Sequence, residues 1–256
     1  MKSYITFSLL AFFTCSMLLF SCSEGTVTED YDLDFGYDYY PLEVGKYLIY
    51  KTDSTTFNIG GDGVEILESS TFVKEETIGI TMDNQGDTTY IIERFKRLSM
   101  DEEWQITDVW TTKATDLRIE RTEENVKLVK MIFPLQEGID FDATLFVDPT
   151  TSFTVAGENL EVYKDWNSEV LTVGTTETIE GNNYGAVTTI SYADDENLIE
   201  KRYARSKYAK GVGLVYREDW ILDTQCGGDL AGCEAIPWEE KAEKGYIIKQ
   251  VLLEHN

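Results

Sequence analysis

Along most of the chain, apolar and polar residues alternate with a period of two. Residues 77–82 alternate between Thr or Gly and a large apolar side chain, and the turn-forming run 83–87 then reverses the chain into residues 88–95. A period of two places apolar side chains on one face of a strand, whereas an amphipathic helix repeats about every 3.6 residues. This segment therefore predicts a β-hairpin with a glycine-bearing turn.

Short runs dominated by Thr, Val, Ile, Tyr and Phe, which favour strands, recur through the rest of the chain. A helix is predicted only over residues 238–244, where Gly245 would end it. We therefore predict an all-β, mostly antiparallel meander that forms a curved sheet, a sandwich or a partly open barrel. The other predicted elements are strand 116–120, turn 123–125, strand 126–133, turn 180–183, strand 187–192, turn 193–197 and strand 246–253.

A short sequence pattern that occurs twice suggests two similarly organised halves. Residues 40–45 read Tyr-Pro-Leu-Glu-Val-Gly, and residues 133–138 read Phe-Pro-Leu-Gln-Glu-Gly. Proline cannot donate to a sheet ladder, so each copy is expected to mark a strand boundary. Each glycine allows a sharp turn after it. Duplication of a meander and chance recurrence of a short pattern are both open interpretations.

The N-terminus carries the pattern of an export signal. Lys2 supplies a positive charge, residues 5–20 form an apolar run, and a small residue precedes Cys22. This layout is typical of a lipoprotein signal peptide, here residues 1–21, with Cys22 as the lipid-bearing first residue of the mature chain. The apolar run is short for a spanning helix, which needs about 20 apolar residues.

The cleavage site leaves one alternative open. Phe20 is bulky for its position, and an ordinary secretory signal cut near Ser21 or Ser23 would leave Cys22 without lipid. An aspartate after the lipid-bearing cysteine would favour retention at the inner membrane, and Ser23 stands there instead. We therefore expect lipid anchoring in the bacterial cell envelope, with the outer membrane preferred.

The mature chain is predicted to comprise an acidic tether, residues 22–39, and a single β domain, residues 40–256. The tether lacks helical periodicity and is expected to be a solvated linker. Three aspartates at alternate positions from Asp30 have the spacing that begins a calcium loop. However, Phe35 and Pro41 occupy the positions where that loop needs Gly and Glu, so no metal site is predicted.

The net charge limits the partners. The chain has a formal net charge of −25, and removal of residues 1–21, which contain one Lys and no carboxylate, changes it to −26. Such a protein repels the phosphates of nucleic acid and anionic membrane surfaces, so the lipid on Cys22 is the expected attachment to a membrane. Acidic pairs such as Glu75-Glu76 and Glu239-Glu240 are interpreted as solvated faces.

The remaining cysteines agree with export. Cys226 and Cys233 enclose a glycine-rich loop, and in an oxidising compartment they are predicted to form a local disulfide. A zinc site is disfavoured because no Cys-x-x-Cys spacing exists and the only histidine, His255, lies next to the C-terminus.

The sequence predicts no catalytic, cofactor-binding or metal-binding residue. His255 lies where chain ends usually fray, which makes it unsuitable as a general base. The glycine-rich run 60–63 is not followed by a helix that would bind phosphate, and it is expected to be a hairpin loop. Glycoside hydrolysis stays open because it needs only two carboxylates, and the chain has 47 Asp and Glu.

Aromatic side chains suggest binding. The five Trp and 15 Tyr can stack on sugar rings or line an apolar groove, although most aromatic residues of a β protein fill its core. Irregular alternation leaves open whether Trp104 and Trp110 face inward. The tryptophans are Trp104, Trp110, Trp166, Trp220 and Trp238.

Three segments resemble a group of uncharacterised bacterial lipoproteins and secreted proteins. Residues 40–50 resemble its entry strand, Tyr-Pro-Leu-x-x-Gly followed by an aromatic-rich run, although Leu48 stands where Trp is more usual. Residues 178–184 are similar to a glycine-containing hairpin of the group, and residues 210–215 resemble its late Gly-Val-Gly-Leu-Val strand. The resemblance implies an extracytoplasmic antiparallel β domain and no established activity or site residues.

Together these features predict a non-catalytic envelope lipoprotein, without a cofactor, that binds a ligand or partner at the outer membrane. The expected partners are the membrane, through lipid on Cys22, and a glycan, an apolar ligand or an envelope protein. The alternatives are a structural or assembly component of an envelope complex and a carboxylate-dependent glycan hydrolase.

Overall fold

The computed structural model describes residues 34–83, 86–228 and 230–256. The predicted signal peptide and Cys22 lie outside the described residues. Two one-turn helices, α1 (Leu230–Cys233) and α2 (Trp238–Lys241), accompany the strands. The strands are β1 (Tyr47–Gly60), β2 (Gly63–Met82), β3 (Thr88–Arg97), β4 (Gln105–Ala114), β5 (Arg118–Glu123), β6 (Val126–Ile132), β7 (Asp140–Phe141), β8 (Phe153–Val155), β9 (Glu158–Leu160), β10 (Ser168–Ile179), β11 (Asn182–Glu196), β12 (Glu200–Ala209), β13 (Gly213–Asp223) and β14 (Lys244–His255).

Twelve of these strands form one antiparallel sheet in the order β6-β5-β4-β3-β2-β1-β14-β13-β12-β11-β10-β7. Strands β1 to β6 make one meander and β10 to β14 a second. The two meanders join where β1 pairs with β14, with Tyr50 opposite Leu252. Strands β8 and β9 form a separate small hairpin.

The sheet curves until its two ends nearly meet. The backbone N–H of Val129 in β6 donates to the carbonyl oxygen of Ala143, just after β7, at 2.9 Å. The Tyr192 hydroxyl on β11 also donates to the Lys130 carbonyl oxygen at 2.8 Å. The predicted all-β fold is confirmed, and the sheet is nearly closed and barrel-like.

The largest apolar cluster lies inside this sheet and draws side chains from both meanders. Burying one large apolar side chain stabilises a fold by about 1.5–3 kcal/mol, so the cluster holds the two meanders together. Its buried members are Tyr39, Ile119, Met131, Phe133, Leu135, Ala143, Val170, Ile190, Tyr192, Ala193, Ala204 and Tyr208.

Most of the predicted reversals are found where expected, and one is displaced. The predicted turn 193–197 is wrong because β11 continues to Glu196 and the chain reverses after it. Cross-strand ion pairs stabilise this extension: Arg205 pairs with Asp194, and Lys201 pairs with Glu196. Opposite charges that face each other across strands contribute about 0.2–1 kcal/mol.

Residues 34–39, assigned above to the tether, pack against the sheet. Tyr37–Tyr39 form a 3₁₀ turn in which Tyr39 is buried. Gly36 has a φ of 82°, and a Cβ there would lie 2.6 Å from a side-chain carbon of Leu135. The packed unit therefore begins at Asp34.

The loop between β13 and β14 carries the remaining local structure. Cys226 and Cys233 are joined in a disulfide, with their Cα atoms 5.7 Å apart. Helix α2 is shorter than predicted because Ala242 already has extended backbone angles. Within the described ranges, no helix has the length and apolar character needed to cross a membrane.

Gly245 tests the close contact between β14 and its neighbour β13 in the second meander. It has a φ of 122°, and a Cβ there would lie 2.0 Å from the Ile221 carbonyl oxygen on β13. We expect Gly245→Ala to lower the free energy of unfolding by about 3 kcal/mol or more, because the strain is imposed on backbone of a central strand. Urea denaturation measures the change.

The matched control is Gly61→Ala in the β1–β2 turn, where no atom lies within 4 Å of an added Cβ. We expect this change to alter stability by less than about 1 kcal/mol. Equal stabilities for the two variants would contradict the steric argument.

Candidate functional site

The segment 34–42 is held across one end of the sheet. The N–H of Leu135 donates to the Phe35 carbonyl oxygen at 3.1 Å, and the N–H of Gly211 donates to the Asp38 carbonyl oxygen at 2.7 Å. Lys210 forms ion pairs with Asp34 and Asp38. These contacts fix the residues that follow against the β4–β5 connection.

An apolar cleft of about 330 Å³ results, which we call the aromatic cleft. The Tyr37 ring meets the Phe133 ring edge-on, with centroids 4.6 Å apart, and the Tyr37 hydroxyl donates to the Asp116 carbonyl oxygen at 3.1 Å. Its volume falls in the range of about 300–1,000 Å³ that is usual for small-molecule sites. The lining residues are Tyr37, Tyr40, Pro41, Leu42, Ala114, Thr115, Asp116, Ile119 and Phe133.

Both aromatic-Pro-Leu segments contribute to this cleft. Tyr40, Pro41 and Leu42 come from the copy that precedes β1, and Phe133 comes from the copy that follows β6. Each copy therefore marks a strand boundary, as expected from its proline. The repeated aromatic-Pro-Leu pattern is therefore the sequence feature that indicates the position of the cleft.

Tyr40 connects the cleft to a buried ion pair. Arg121 donates to the Tyr40 hydroxyl at 3.2 Å and to Glu75 Oε2 at 2.7 Å. The Arg121 and Glu75 side chains are 9% and 8% exposed. The interpretation of Glu75 as part of a solvated face is therefore wrong: its side chain points into the sheet, where the cation compensates its charge.

Aromatic contacts reinforce this arrangement. The guanidinium groups of Arg94 and Arg121 lie 4.6 Å and 4.8 Å from the Trp110 ring centroid. Arg94 Nε also lies 3.8 Å from Glu75 Oε1. A pocket of about 40 Å³ lies beside this network, with Tyr40, Glu75 and Arg121 among its lining residues. That volume suits water rather than a larger ligand.

Burial and charge set the protonation of this network. Burial raises the pKa of the Tyr40 phenol while Arg121 acts in the opposite direction. Burial disfavours the Arg121 cation, but Glu75 and Tyr40 outweigh it and hold the pKa of Arg121 well above its usual value. Tyr40 is therefore a neutral phenol that accepts a hydrogen bond from a permanent cation.

A second ion cluster includes the other side of Arg121. Glu123 Oε1 is 3.1 Å from both Arg121 Nε and Lys130 Nζ, and Arg217 pairs with Asp219. Burial alone would raise the pKa of Glu123, but Lys130, Arg121 and Arg217 together hold it below its usual value. This cluster stabilises the charged form of its carboxylate.

Carboxyl groups whose pKa is lowered, such as Glu123, are poorly suited to general-acid catalysis. The pKa values of Glu120 and Glu200 are also lowered, because neighbouring cations overcome the opposing effect of burial. The general acid of a glycosidase needs a raised pKa. Among the lining residues of the aromatic cleft, Asp116 is the one that carries a carboxylate.

The tryptophans that suggested binding lie elsewhere. Trp110 is buried inside the sheet, whereas Trp104 is half-buried with the guanidinium of Arg97 4.2 Å from its ring. Trp238 packs with Phe57. The cleft uses Tyr and Phe side chains instead, most of them on connections rather than on strands.

Among the described residues, the other groups considered in the sequence do not line the cleft. His255 ends β14 and is exposed, and Cys22 lies outside the described residues. Within residues 34–83, 86–228 and 230–256, no group of three or more His, Cys, Asp or Glu side chains is placed to hold a metal ion. Two further grooves of about 310 Å³ and 470 Å³ have mainly polar and charged linings.

Comparisons with known proteins find similar solved structures, including two bacterial proteins. No protein-family model matches the chain, and no curated protein matches it. A protein from Bacteroides fragilis, described as exported and YmcC-like in fold, has 10% identity and a TM-score of 0.43 over 85% of this chain and 98% of its own. A protein from Parabacteroides distasonis, described as a lipoprotein, has 9% identity and a TM-score of 0.38 over 88% of this chain and 100% of its own.

The Glu75–Arg121 pair is expected to set the rigidity of the cleft wall. Glu75→Gln and Arg121→Leu should each lower the free energy of unfolding by about 1–3 kcal/mol, because each removes the shortest ion pair of a buried charge. Compensation is only partial after either change, through Glu123 for Arg121 and through the more distant Arg94 for Glu75. The double variant should cost less than the sum of the two. Urea denaturation of the four proteins gives the coupling energy.

The exposed pair Lys51–Asp53, with both side chains 47% exposed, is the control. Its removal should cost at most about 1 kcal/mol. Additive costs for Glu75→Gln and Arg121→Leu would show that the buried pair does not act as a unit.

Proposed function

We propose that this chain is a lipid-anchored protein of the bacterial cell envelope that binds a ligand in the aromatic cleft without transforming it. The observation that carries the proposal is the cleft itself, whose walls are formed by Tyr37, Tyr40 and Phe133. Aromatic rings present large apolar faces at low conformational cost. The contact from Arg121 to Tyr40 holds one of these rings in place before a ligand arrives.

The lining favours a neutral ligand with a flat apolar face, such as a sugar ring. Tyr37 and Tyr40 offer ring surface, while Thr115 and the exposed Asp116 offer polar groups at the edge. A sugar presents both kinds of surface, because its C–H face is apolar and its hydroxyl groups are polar. The net charge of −25 disfavours an anionic ligand.

Binding is favoured over glycan hydrolysis on the chemistry of the cleft. Hydrolysis requires two carboxylates that flank the scissile bond, one of them with a raised pKa. Asp116 supplies one carboxylate, and Glu75 behind Tyr40 is paired with Arg121. The arrangement therefore offers recognition groups without an acid–base pair.

The envelope location is inferred mainly from sequence. Residues 1–21 have the layout of a lipoprotein signal peptide, and Cys22 follows them. The Cys226–Cys233 disulfide supports an oxidising compartment. Ser23 favours the outer membrane. Two or more acyl chains on Cys22 would hold the protein firmly, because each buried CH₂ contributes about 0.8 kcal/mol.

The cleft can be blocked by Ala114→Trp. Ala114 ends β4, is exposed and lines the cleft, so an indole there should fill the space that the ligand needs. After a screen of immobilised neutral glycans, we expect calorimetry to show that this variant binds the selected glycan at least about tenfold more weakly.

Val109→Trp is the matched control, since Val109 is 57% exposed on the same strand and does not line the cleft. It should bind as the unmodified protein does. Equal affinities for the two variants, or no neutral glycan bound by the unmodified protein, would contradict the proposed binding site.

The anchor is tested by Cys22→Ala. We expect this variant to lose its lipid and to move from the membrane fraction to the soluble extracytoplasmic fraction, because the thiol is the site of acylation. Membrane fractionation and intact-mass measurement check the result. Cys15→Ala, which changes a cysteine inside the signal peptide, should stay lipid-labelled and membrane-bound. A lipid-labelled Cys22→Ala protein would disprove the assignment.

A further inference from the structure

We propose that one edge of β2, residues 63–70, binds an extended basic segment of another protein by strand addition. Residues 72–82 of β2 pair with β3, whereas residues 63–70 pair only with β1 among the described residues. Alternate backbone N–H and C=O groups of this stretch therefore face solvent. We call residues 63–70 the free edge.

Apolar side chains cluster along the free edge. Ile59, Val64 and Ile66 are 51%, 41% and 50% exposed. They lie on one face, because Ile59 is opposite Val64 and Phe57 is opposite Ile66. Phe57 is buried with Trp238 and Leu222, so the three exposed side chains extend an existing apolar cluster onto the projecting hairpin. Leu67, 52% exposed, lies on the opposite face.

The carboxylates along the free edge favour a positively charged partner. Asp62, Glu65 and Glu68 are exposed, and among the described residues none of them forms an ion pair. An isolated carboxylate next to a free strand edge attracts Lys or Arg on an added strand, where cross-strand charge pairs are favourable. The free edge therefore selects for a basic segment.

A second copy of this chain is a poor occupant. Antiparallel pairing of two free edges by a two-fold axis centred on Glu65, or on Glu68, would place that carboxylate opposite the same residue of the other copy. Like charges directly opposite each other destabilise a sheet, and each copy has a net charge of −25. The carboxylates along the edge and the net charge of each copy thus disfavour self-association and leave the edge open to a basic strand.

The register specifies the order of side chains in the partner. A strand that faces Glu65, Ile66, Leu67 and Glu68 would carry a basic residue, two apolar residues and a second basic residue. The order is the same for parallel and antiparallel addition. Main-chain hydrogen bonds would supply affinity, and the side chains would supply specificity, as in other cases of strand addition.

The test uses a capped, fluorescein-labelled peptide, Thr-Lys-Val-Ile-Lys-Thr, with the full-length protein at physiological salt. Fluorescence anisotropy should show binding, and amide hydrogen exchange should slow within residues 63–70. Two further peptides carry N-methyl groups on alternate backbone nitrogens, in the two alternating sets. One set should abolish binding although charge and side chains are unchanged, because it removes the donors of the ladder.

Protein variants separate the free edge from general acidity. Glu65→Lys combined with Glu68→Lys should weaken binding at least about tenfold. Glu124→Lys combined with Glu137→Lys changes the net charge equally at two exposed sites and should leave affinity within about twofold.

Three results would overturn the proposal. They are equal weakening by both pairs of substitutions, unchanged affinity of both methylated peptides, and the absence of protection in residues 63–70. The peptide results come from the unmodified protein, so they stand even if a variant folds poorly. Sedimentation that showed a dimer through the free edge would assign it to a second copy instead.

Discussion

The pairing of β1 with β14 is the interaction on which the sheet depends. It joins a meander near the N-terminus to one that ends at the C-terminus, with Phe57 opposite Gly245 at one end of the pairing and Leu48 opposite His255 at the other. At the other junction, β6 approaches β7 through a hydrogen bond from Val129 to Ala143. The long ladder fixes the curvature, and the short contact nearly closes the sheet.

The curved sheet encloses an interior. The alternation of apolar and polar residues along each strand does not by itself predict which side chains meet there. Side chains from opposite parts of the sheet meet inside it, and several are charged. Removing a charge from water is costly, so each buried cation requires a carboxylate nearby. Arg121 has Glu75 and Glu123, and Arg217 has Asp219. The interior is therefore held by compensated charge as well as by apolar contacts.

The sequence predicted features formed by residues close together in the chain better than features formed by residues far apart in it. Local signals were sufficient for the hairpins: Glu124 and Asn125 have positive φ values at the turn that their sequence predicts. The burial of Glu75 could not be predicted, because Glu75 lies beside Glu76 in sequence while its partner Arg121 lies two strands beyond the neighbouring β3. Nothing in a single sequence reports such a pairing.

The aromatic cleft was also difficult to predict, although two of the segments that form it share a sequence pattern. Its residues come from the segment before β1, the β4–β5 connection and the end of β6, so no single stretch carries a motif. The sequence pattern of the two aromatic-Pro-Leu segments suggested a duplication and did not indicate a cleft. Their prolines place both segments at strand ends on the same side of the sheet, and this shared position brings Tyr40 and Phe133 into one cleft.

The cleft and the free edge of β2 differ in how far their side chains are positioned before a ligand or partner binds. In the cleft, Tyr40 is oriented from behind by a buried cation that cannot move without exposing its charge, so the ring is positioned before binding. Preorganisation of this kind suits a small rigid ligand, because little conformational freedom is lost when it binds. Along the free edge, the side chains of residues 63–70 are exposed on both faces. An extended segment that forms a new ladder can order such an edge by itself, whereas a small ligand cannot.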